Sequence, residues 1–221
     1  MADDTAWRRR RRCGSPADEL GAPAARRSTV TSTPLVDAAA SLLAFLERHN
    51  VPACLIGGMV VTRWGEPRVT RDVDAAVLAE LGDESRIIDL LLSRYRPRIP
   101  DVRGFAAANR IVLIQADNAV DIDVSLAAFP FEREVLDRSS VWHVTPDTRL
   151  RTCSAEDLVL YKLIAARPID IHDVQMVVSR QAGRLDAERI RSWGRQFADL
   201  LERPDLLDPF EAAIKHPGRR G

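Results

Sequence analysis

The chain has 221 residues, of which 46% are hydrophobic, and its 32 basic and 32 acidic residues give a formal net charge of zero. This length is enough for one well-packed core with a small helical appendage, and the zero net charge argues against a generic polyanion-binding protein. Three cysteines without metal-ligand spacing argue against a disulfide framework. Because no apolar run follows the arginine-rich start, we expect a cytoplasmic protein without a signal peptide or a membrane span.

The first 34 residues are predicted to form a disordered leader, because they are rich in Arg, Ala, Ser, Thr, Asp and Pro and have little periodic apolar content. Five consecutive arginines, Arg8 to Arg12, lie in this segment. Such a run can contact RNA or another polyanion, although a solvated tail is the commoner outcome.

Residues 35–152 are predicted to form an α+β core, and residues 153–221 a helical C-terminal part. The core elements, in chain order, are helix 35–50, strand 53–56, helix 58–64, acidic strand 72–77, helix 85–95, hairpin strands 110–115 and 120–126, and short strands 141–144 and 149–152. The basic segment 96–100 is predicted to be a loop. The C-terminal helices are predicted to begin after Ser154, near Pro168 and near Asp186.

Two glycines and two aspartates form the most informative pattern in the core. Gly57 and Gly58 follow an apolar strand, where the lack of side chains lets backbone N–H groups approach a phosphate at a helix N-terminus. Asp72 and Asp74 are two residues apart in an extended segment, so they share one face. Their oxygens are hard ligands of the kind that Mg²⁺ or Mn²⁺ prefers. The pattern therefore predicts a site for a nucleoside triphosphate and its divalent metal.

A third carboxylate is expected from the second strand of the hairpin. Asp121 and Asp123 alternate there with apolar residues, so both acids share one face. Such an acidic face is costly unless a metal or another cation offsets the charge. The alternatives are that Asp72 only caps a turn and that Asp121 is a solvated strand position.

Together these motifs resemble the nucleotidyltransferase superfamily, which is built on a polymerase-beta-like core. A second block resembles the helical motif of AbiEii-type nucleotidyltransferases, which are toxin components of bacterial toxin–antitoxin systems with related stand-alone proteins. That block contains Lys162, Arg167, Asp170 and Asp173. The resemblance runs from about residue 36 to about residue 180, and it implies an α+β fold with a mixed β-sheet flanked by helices.

The resemblance implies a role for each matching residue. Catalysis and metal binding are expected of Asp72, Asp74 and a third acid, which is Asp123 in preference to Asp121 because an apolar run and a Phe-containing segment follow it. The residues expected to bind the nucleotide are Gly57, Gly58, Arg71, Lys162, Asp170 and Asp173. The Gly-Ser common in the family is Gly-Gly here, which removes one hydroxyl ligand from the phosphate site.

Lys162 and the two acids after it have alternative interpretations. Lys162 is expected to supply a cation for the triphosphate or for charge in the transition state, but it could instead be a snorkelling lysine with a solvated tip. Asp170 and Asp173 lie on one helix face. With Arg167 they could orient Lys162, line the nucleotide, or form a solvated ion-paired surface.

The predicted activity is metal-dependent transfer of a nucleoside monophosphate from a nucleoside triphosphate to an acceptor hydroxyl. By resemblance the acceptor is an RNA such as tRNA, a protein side chain or a small hydroxylated compound, with RNA favoured. If the protein is a toxin, a cognate antitoxin is implied as its partner. The alternative is a catalytically silent protein of the same fold that binds nucleotide, RNA or a partner.

Overall fold

The structure is a computed structural model and describes residues 33–216. The predicted leader, with its arginine run, lies outside these residues except for its last two positions. The helices are α1 Pro34–Arg48, α2 Gly57–Trp64, α3 Glu84–Leu92, α4 Val102–Asn109, α5 Pro130–Arg138, α6 Ala155–Ala165, α7 Pro168–Arg180, α8 Ala187–Leu200 and α9 Asp208–Lys215. The strands are β1 Ala53–Ile56, β2 Asp72–Leu78, β3 Arg96–Pro97, β4 Ile111–Gln115, β5 Asp121–Ala127, β6 Ser140–His143 and β7 Arg149–Thr152.

The described strands form one mixed sheet in the order β3-β4-β5-β2-β1-β7-β6. The pairs β2–β5 and β1–β7 are parallel, and the other neighbouring pairs are antiparallel. Helix α1 packs against β1, β2 and β7, whereas α2 packs against β1, β2 and the C-terminal helices α6 and α7. The fold is therefore α+β, as predicted.

The helix starts follow local capping chemistry. The Thr33 hydroxyl accepts the N–H of Val36 at α1, and Ser154 accepts the N–H of Asp157 at α6. Pro168 is the first residue of α7, where its missing N–H leaves no hydrogen bond unmade. The C-terminal helices pack around α6, which contacts α7, α8 and α9 as well as α2. Most of the α6 side chains are buried, which explains the apolar run from Leu158 to Ala165 that only Lys162 interrupts.

The predicted loop at residues 96–100 is wrong. Arg96 and Pro97 form the short edge strand β3 on β4, and helix α4 follows within a few residues. Proline is compatible with an edge strand because it need not donate to a neighbour there. Helix α4 is eight residues long and contains Gly104, so its periodic signal is weak. Helices α5 and α9 were also not predicted individually. Within residues 33–216, no helix combines the length and apolar character that crossing a bilayer requires.

Candidate active site

Strands β2 and β5 place four aspartates on one face of the sheet. In the parallel β2–β5 pair, Asp72 is level with Asp121 and Asp74 is level with Asp123. The four aspartates are partly exposed, whereas Val73 and the other residues between them are buried. The predicted sharing of one face is confirmed, and the acids of two chain segments lie side by side.

Gly57 lies directly against Asp74. Its φ of +71° is in the left-handed region, and a Cβ at this position would lie 2.0 Å from Asp74 Oδ2. A side chain at residue 57 would therefore displace the carboxylate. The N–H of Gly58, at the N-terminus of α2, donates to Asp74 Oδ2 at 3.3 Å. The Asp74 carboxylate thus packs against the Gly-Gly turn, beside the N-terminus of α2.

The space next to Gly58 is also closely filled. A Cβ at residue 58 would lie 2.8 Å from Thr70 Oγ1 and 3.3 Å from Nη2 of Arg68. The same Thr70 hydroxyl donates to Asp72 Oδ1 at 2.9 Å. The loop before β2 therefore brings a hydroxyl and a guanidinium group to the turn. The prediction singled out neither residue, because only the fold of the loop brings them there.

Asp74 carries the most strongly perturbed carboxyl group of the site. Burial and the neighbouring charge of Asp72 raise its pKa from 3.8 to about 6, against the opposing hydrogen bond from the Gly58 N–H. Burial also raises the pKa of Asp123, although the Arg98 guanidinium opposes that shift. Asp123 and Asp72 both add repulsion to Asp74, so these three carboxyl groups form one electrostatic unit.

Arg98 covers the two acids of β5. Its Nη1 donates to Asp123 Oδ1, and its Nε lies 3.5 Å from Asp121 Oδ2. Asp121 also accepts a hydrogen bond of 3.0 Å from the side chain of Gln115. The guanidinium reaches this face from the edge of the sheet, across β4.

The donor set fits a divalent cation in its chemistry. Asp72 and Asp74 offer hard oxygens on one face, and because burial and then the charge of Asp72 raise the pKa of Asp74, a nearby dication would stabilise its charged form. Asp72, Asp74 and Asp123 each have a protein partner, namely Thr70, Gly58 and Arg98 respectively. Among residues 33–216 there is no group of three His, Cys, Asp or Glu side chains arranged as a metal cluster.

Lys162 is buried in an ion-pair network. Only 4% of its side chain is exposed, and its Nζ lies 2.8 Å from Asp170 Oδ1 and 2.9 Å from Asp173 Oδ2. The alternative of a snorkelling lysine is therefore wrong. Both acids are almost completely buried, so the alternative of a solvated helix face is wrong as well.

Two arginines complete the network. Arg68 binds Asp173 through two hydrogen bonds of 2.7 and 2.8 Å, and Arg167 Nε binds Asp170 at 2.6 Å. Burial alone would raise the pKa of Asp170, but hydrogen bonds from Arg167 and Lys162 outweigh it and lower the pKa. Three cations thus surround two carboxylates, for a net charge of +1.

This network borders the carboxylates of the sheet. The charge of Lys162 acts on Asp74, and the charges of Asp74 and Asp72 act on Arg167. The side chain of Arg167 is 68% exposed, so its guanidinium is accessible to a ligand. The structure therefore brings the predicted glycines, aspartates and Lys162 into one region, and Arg71 is exposed in the loop immediately before β2.

The chain is similar to several solved structures at low sequence identity. ANT(2'')-Ia, an antibiotic-resistance factor, is 17% identical over 76% of this chain and 94% of its own, with a TM-score of 0.51. An antigenic nucleotidyltransferase-like protein from Paracoccidioides brasiliensis is 12% identical over 80% of this chain and 92% of its own, with a TM-score of 0.46. The lincosamide antibiotic adenylyltransferase LnuA is 17% identical over 62% of this chain and 92% of its own, with a TM-score of 0.42.

Sequence comparison adds no relative, since no protein-family model and no curated protein sequence matches the chain. At 17% identity, the likeness to ANT(2'')-Ia concerns the fold and leaves the activity open. The chain has the nucleotidyltransferase-like fold that its sequence motifs predict.

Proposed function

We propose that the protein is a metal-dependent nucleotidyltransferase that moves a nucleoside monophosphate from a nucleoside triphosphate to an acceptor hydroxyl. The observation that carries this proposal is the set of carboxylates on β2 and β5, which faces the Gly57–Gly58 turn. Asp74 is level with Asp123 in the strand register and lies against Gly57, where a Cβ would be 2.0 Å from its Oδ2. A cation held by Asp74 would thus lie beside the N-terminus of α2, where the phosphates of a ligand are favoured.

Asp72 and Asp74 would hold a divalent cation, which supplies charge neutralisation for the triphosphate. Asp123 would help to hold a second divalent cation and would accept the proton of the acceptor hydroxyl, whose oxygen attacks the α-phosphorus. The bond from the α-phosphorus to the bridging oxygen then breaks, and pyrophosphate leaves with the electron pair. Asp123 suits this role better than Asp121, because Asp123 is level with Asp74 and its charge acts on that residue.

The cations have different roles in this proposal. Arg167 would contact the triphosphate directly, because its side chain is 68% exposed and the charges of Asp72 and Asp74 act on it. Lys162 is already bound to two buried carboxylates, so it would act mainly by holding Asp170 and Asp173 in place. Through Asp173 this network also fixes Arg68, which lies beside the Gly-Gly turn.

The acceptor is proposed to be RNA, with tRNA as the first candidate, on the strength of the AbiEii-type sequence motif. Membership of a toxin–antitoxin pair, with a cognate antitoxin as partner, is a prediction from the same motif. A small hydroxylated compound is the second candidate, since the structural neighbour ANT(2'')-Ia is an antibiotic-resistance factor. The two candidates differ in what becomes labelled, so one assay separates them.

The test is transfer of label from each α-³²P nucleoside triphosphate in the presence of Mg²⁺. Total bacterial RNA and a panel of hydroxylated antibiotics serve as separate acceptors, and the protein itself is checked for label. Asp74→Asn is the inactive comparison. Asp117→Asn is the matched control, because Asp117 is an exposed acid paired with Arg94 at the turn before β5.

We expect the wild type and Asp117→Asn to transfer label to one of the acceptors. Asp74→Asn should transfer none. Thermal stabilisation by Mg²⁺ and a nucleoside triphosphate without any transfer would instead favour the catalytically silent protein. If the protein shows no thermal stabilisation and no transfer, the proposed function is contradicted.

A further inference from the structure

The guanidinium of Arg98 is bound to the carboxylate of Asp123, to which the proposed function gives a role in the reaction. The backbone N–H of Arg98 donates to the carbonyl of Leu113 at 3.0 Å, and Leu113 is level with Asp123 in the β4–β5 pair. Arg98, Leu113, Asp123 and Asp74 thus form one row across β4, β5 and β2 from the edge of the sheet. The arginine side chain follows this row inwards as far as Asp123.

The contact of Arg98 is shared between two acids. Nη1 donates to Asp123 and Nε lies 3.5 Å from Asp121, while the Arg98 side chain is 27% exposed. Asp121 has a further partner in Gln115, at 3.0 Å. Asp121 can therefore keep the guanidinium nearby when Asp123 is released, since two acids on one strand face lie within reach of one arginine.

We propose that Arg98 is a resident cation that competes with a divalent metal for Asp123, so that a metal ion binds there only after the guanidinium has moved onto Asp121. The inference rests on the proposed function. The Asp72–Asp74 pair has no cationic side chain bound to it in the described part of the chain, because its partners are a hydroxyl and a backbone N–H. One ion should thus bind readily at Asp72 and Asp74, whereas a second at Asp123 binds more weakly.

The competition has a simple thermodynamic form. The apparent affinity for the second ion is reduced by the fraction of molecules in which Asp123 is free of Arg98. If Asp123 is free about one-tenth of the time, removing the guanidinium increases the apparent affinity for the second ion about tenfold. The first ion is affected less, because Arg98 contacts neither of its ligands.

Binding of Mn²⁺ alone, followed through the electron paramagnetic resonance signal of the free ion, tests this without recourse to activity. The variants are Arg98→Gln, which keeps hydrogen-bonding groups without the charge, and Arg98→Lys, which keeps the charge with a shorter reach. Arg94→Gln is the matched control, because Arg94 lies near the same sheet edge and pairs with the exposed Asp117. Melting temperatures of each variant establish that it is folded.

Arg98→Gln is expected to increase the affinity for the second Mn²⁺ about tenfold or more, relative to the affinity for the first. Arg98→Lys should give a smaller gain and Arg94→Gln none, and the gain should vanish in Arg98→Gln/Asp123→Asn. If both Arg98 variants still bind the first ion but bind the second no more tightly than the wild type does, the proposed competition is refuted. The proposed function is not affected by that result. Absence of Mn²⁺ binding from the wild type and all variants would overturn both.

Discussion

The substitution Asp74→Asn should stabilise the metal-free protein at neutral and alkaline pH. The pKa of Asp74 is raised from 3.8 to about 6 in the folded protein by burial and by the charge of Asp72. The folded protein therefore binds this proton more tightly than the unfolded chain, and the wild type loses stability as the pH rises from about 4 through 6. Asparagine is neutral at every pH and keeps an oxygen that can accept the Gly58 N–H.

The magnitude follows from the same pKa. The interval from 3.8 to about 6 corresponds to about 3 kcal/mol at about 1.36 kcal/mol per pKa unit. This is the largest gain expected, reached above about pH 7, and it should fall below about 1 kcal/mol at pH 4, where the folded wild type is already protonated. For a domain of this size, a gain of about 2–3 kcal/mol raises Tm by roughly 4–12 °C.

Urea denaturation followed by tryptophan fluorescence, in EDTA at pH 4 and pH 8, measures the difference. Asp117→Asn is the comparison, since the hydrogen bond from Arg94 lowers the pKa of Asp117 and its removal should not stabilise the protein. Equal effects of the Asp74 substitution at both pH values would refute the electrostatic explanation. Destabilisation at pH 8 would show that the carboxylate stabilises the fold.

Three other substitutions or reactions follow from the packing of the site. Gly57→Ala should cost about 1–3 kcal/mol more than Gly82→Ala in urea denaturation, because both have positive φ but only Gly57 has no room for a Cβ; equal costs would contradict the close contact. Lys162→Met should lower the free energy of unfolding by about 3–5 kcal/mol, because it leaves two buried carboxylates without their shared partner. Substitution of the exposed Lys215 by Met should change the free energy of unfolding by less than about 0.5 kcal/mol. Burial raises the pKa of the Cys54 thiol to about 12, so iodoacetamide at pH 8 should label it only after unfolding, as peptide mass spectrometry would show; rapid labelling of the native protein would contradict this burial.

Much of the fold could be predicted because local signals agree with tertiary packing. Strand β1 was predicted with its observed bounds, and β2 and β5 within one or two residues, since their apolar residues alternate or run together as buried strands require. The loop prediction for residues 96–100 failed because a two-residue edge strand has no periodicity to detect. Helix α4 was missed because eight residues with a glycine carry little helical signal.

The candidate site divides in the same way. Alternation alone places Asp72 with Asp74, and Asp121 with Asp123, on one face. The contact of Arg98 with Asp123 depends on the strand order β3-β4-β5, which no local pattern contains. Likewise, the burial of Lys162 depends on how α6 packs against α7, and the helical spacing of its neighbours cannot distinguish an ion-paired core lysine from a snorkelling one.

The shared register of β2 and β5 restricts where this chain can change length. Inserting one residue between Asp121 and Ile122 would turn the rest of β5 over, carrying Asp123 into the core and Ile122 out of it. A carboxylate in the apolar core costs several kcal/mol, comparable with the whole stability of a domain. Insertions and deletions are thus tolerable at the turn between β4 and β5, but not inside either strand. Natural variation in length, and engineered loop exchange alike, should therefore spare β2 and β5.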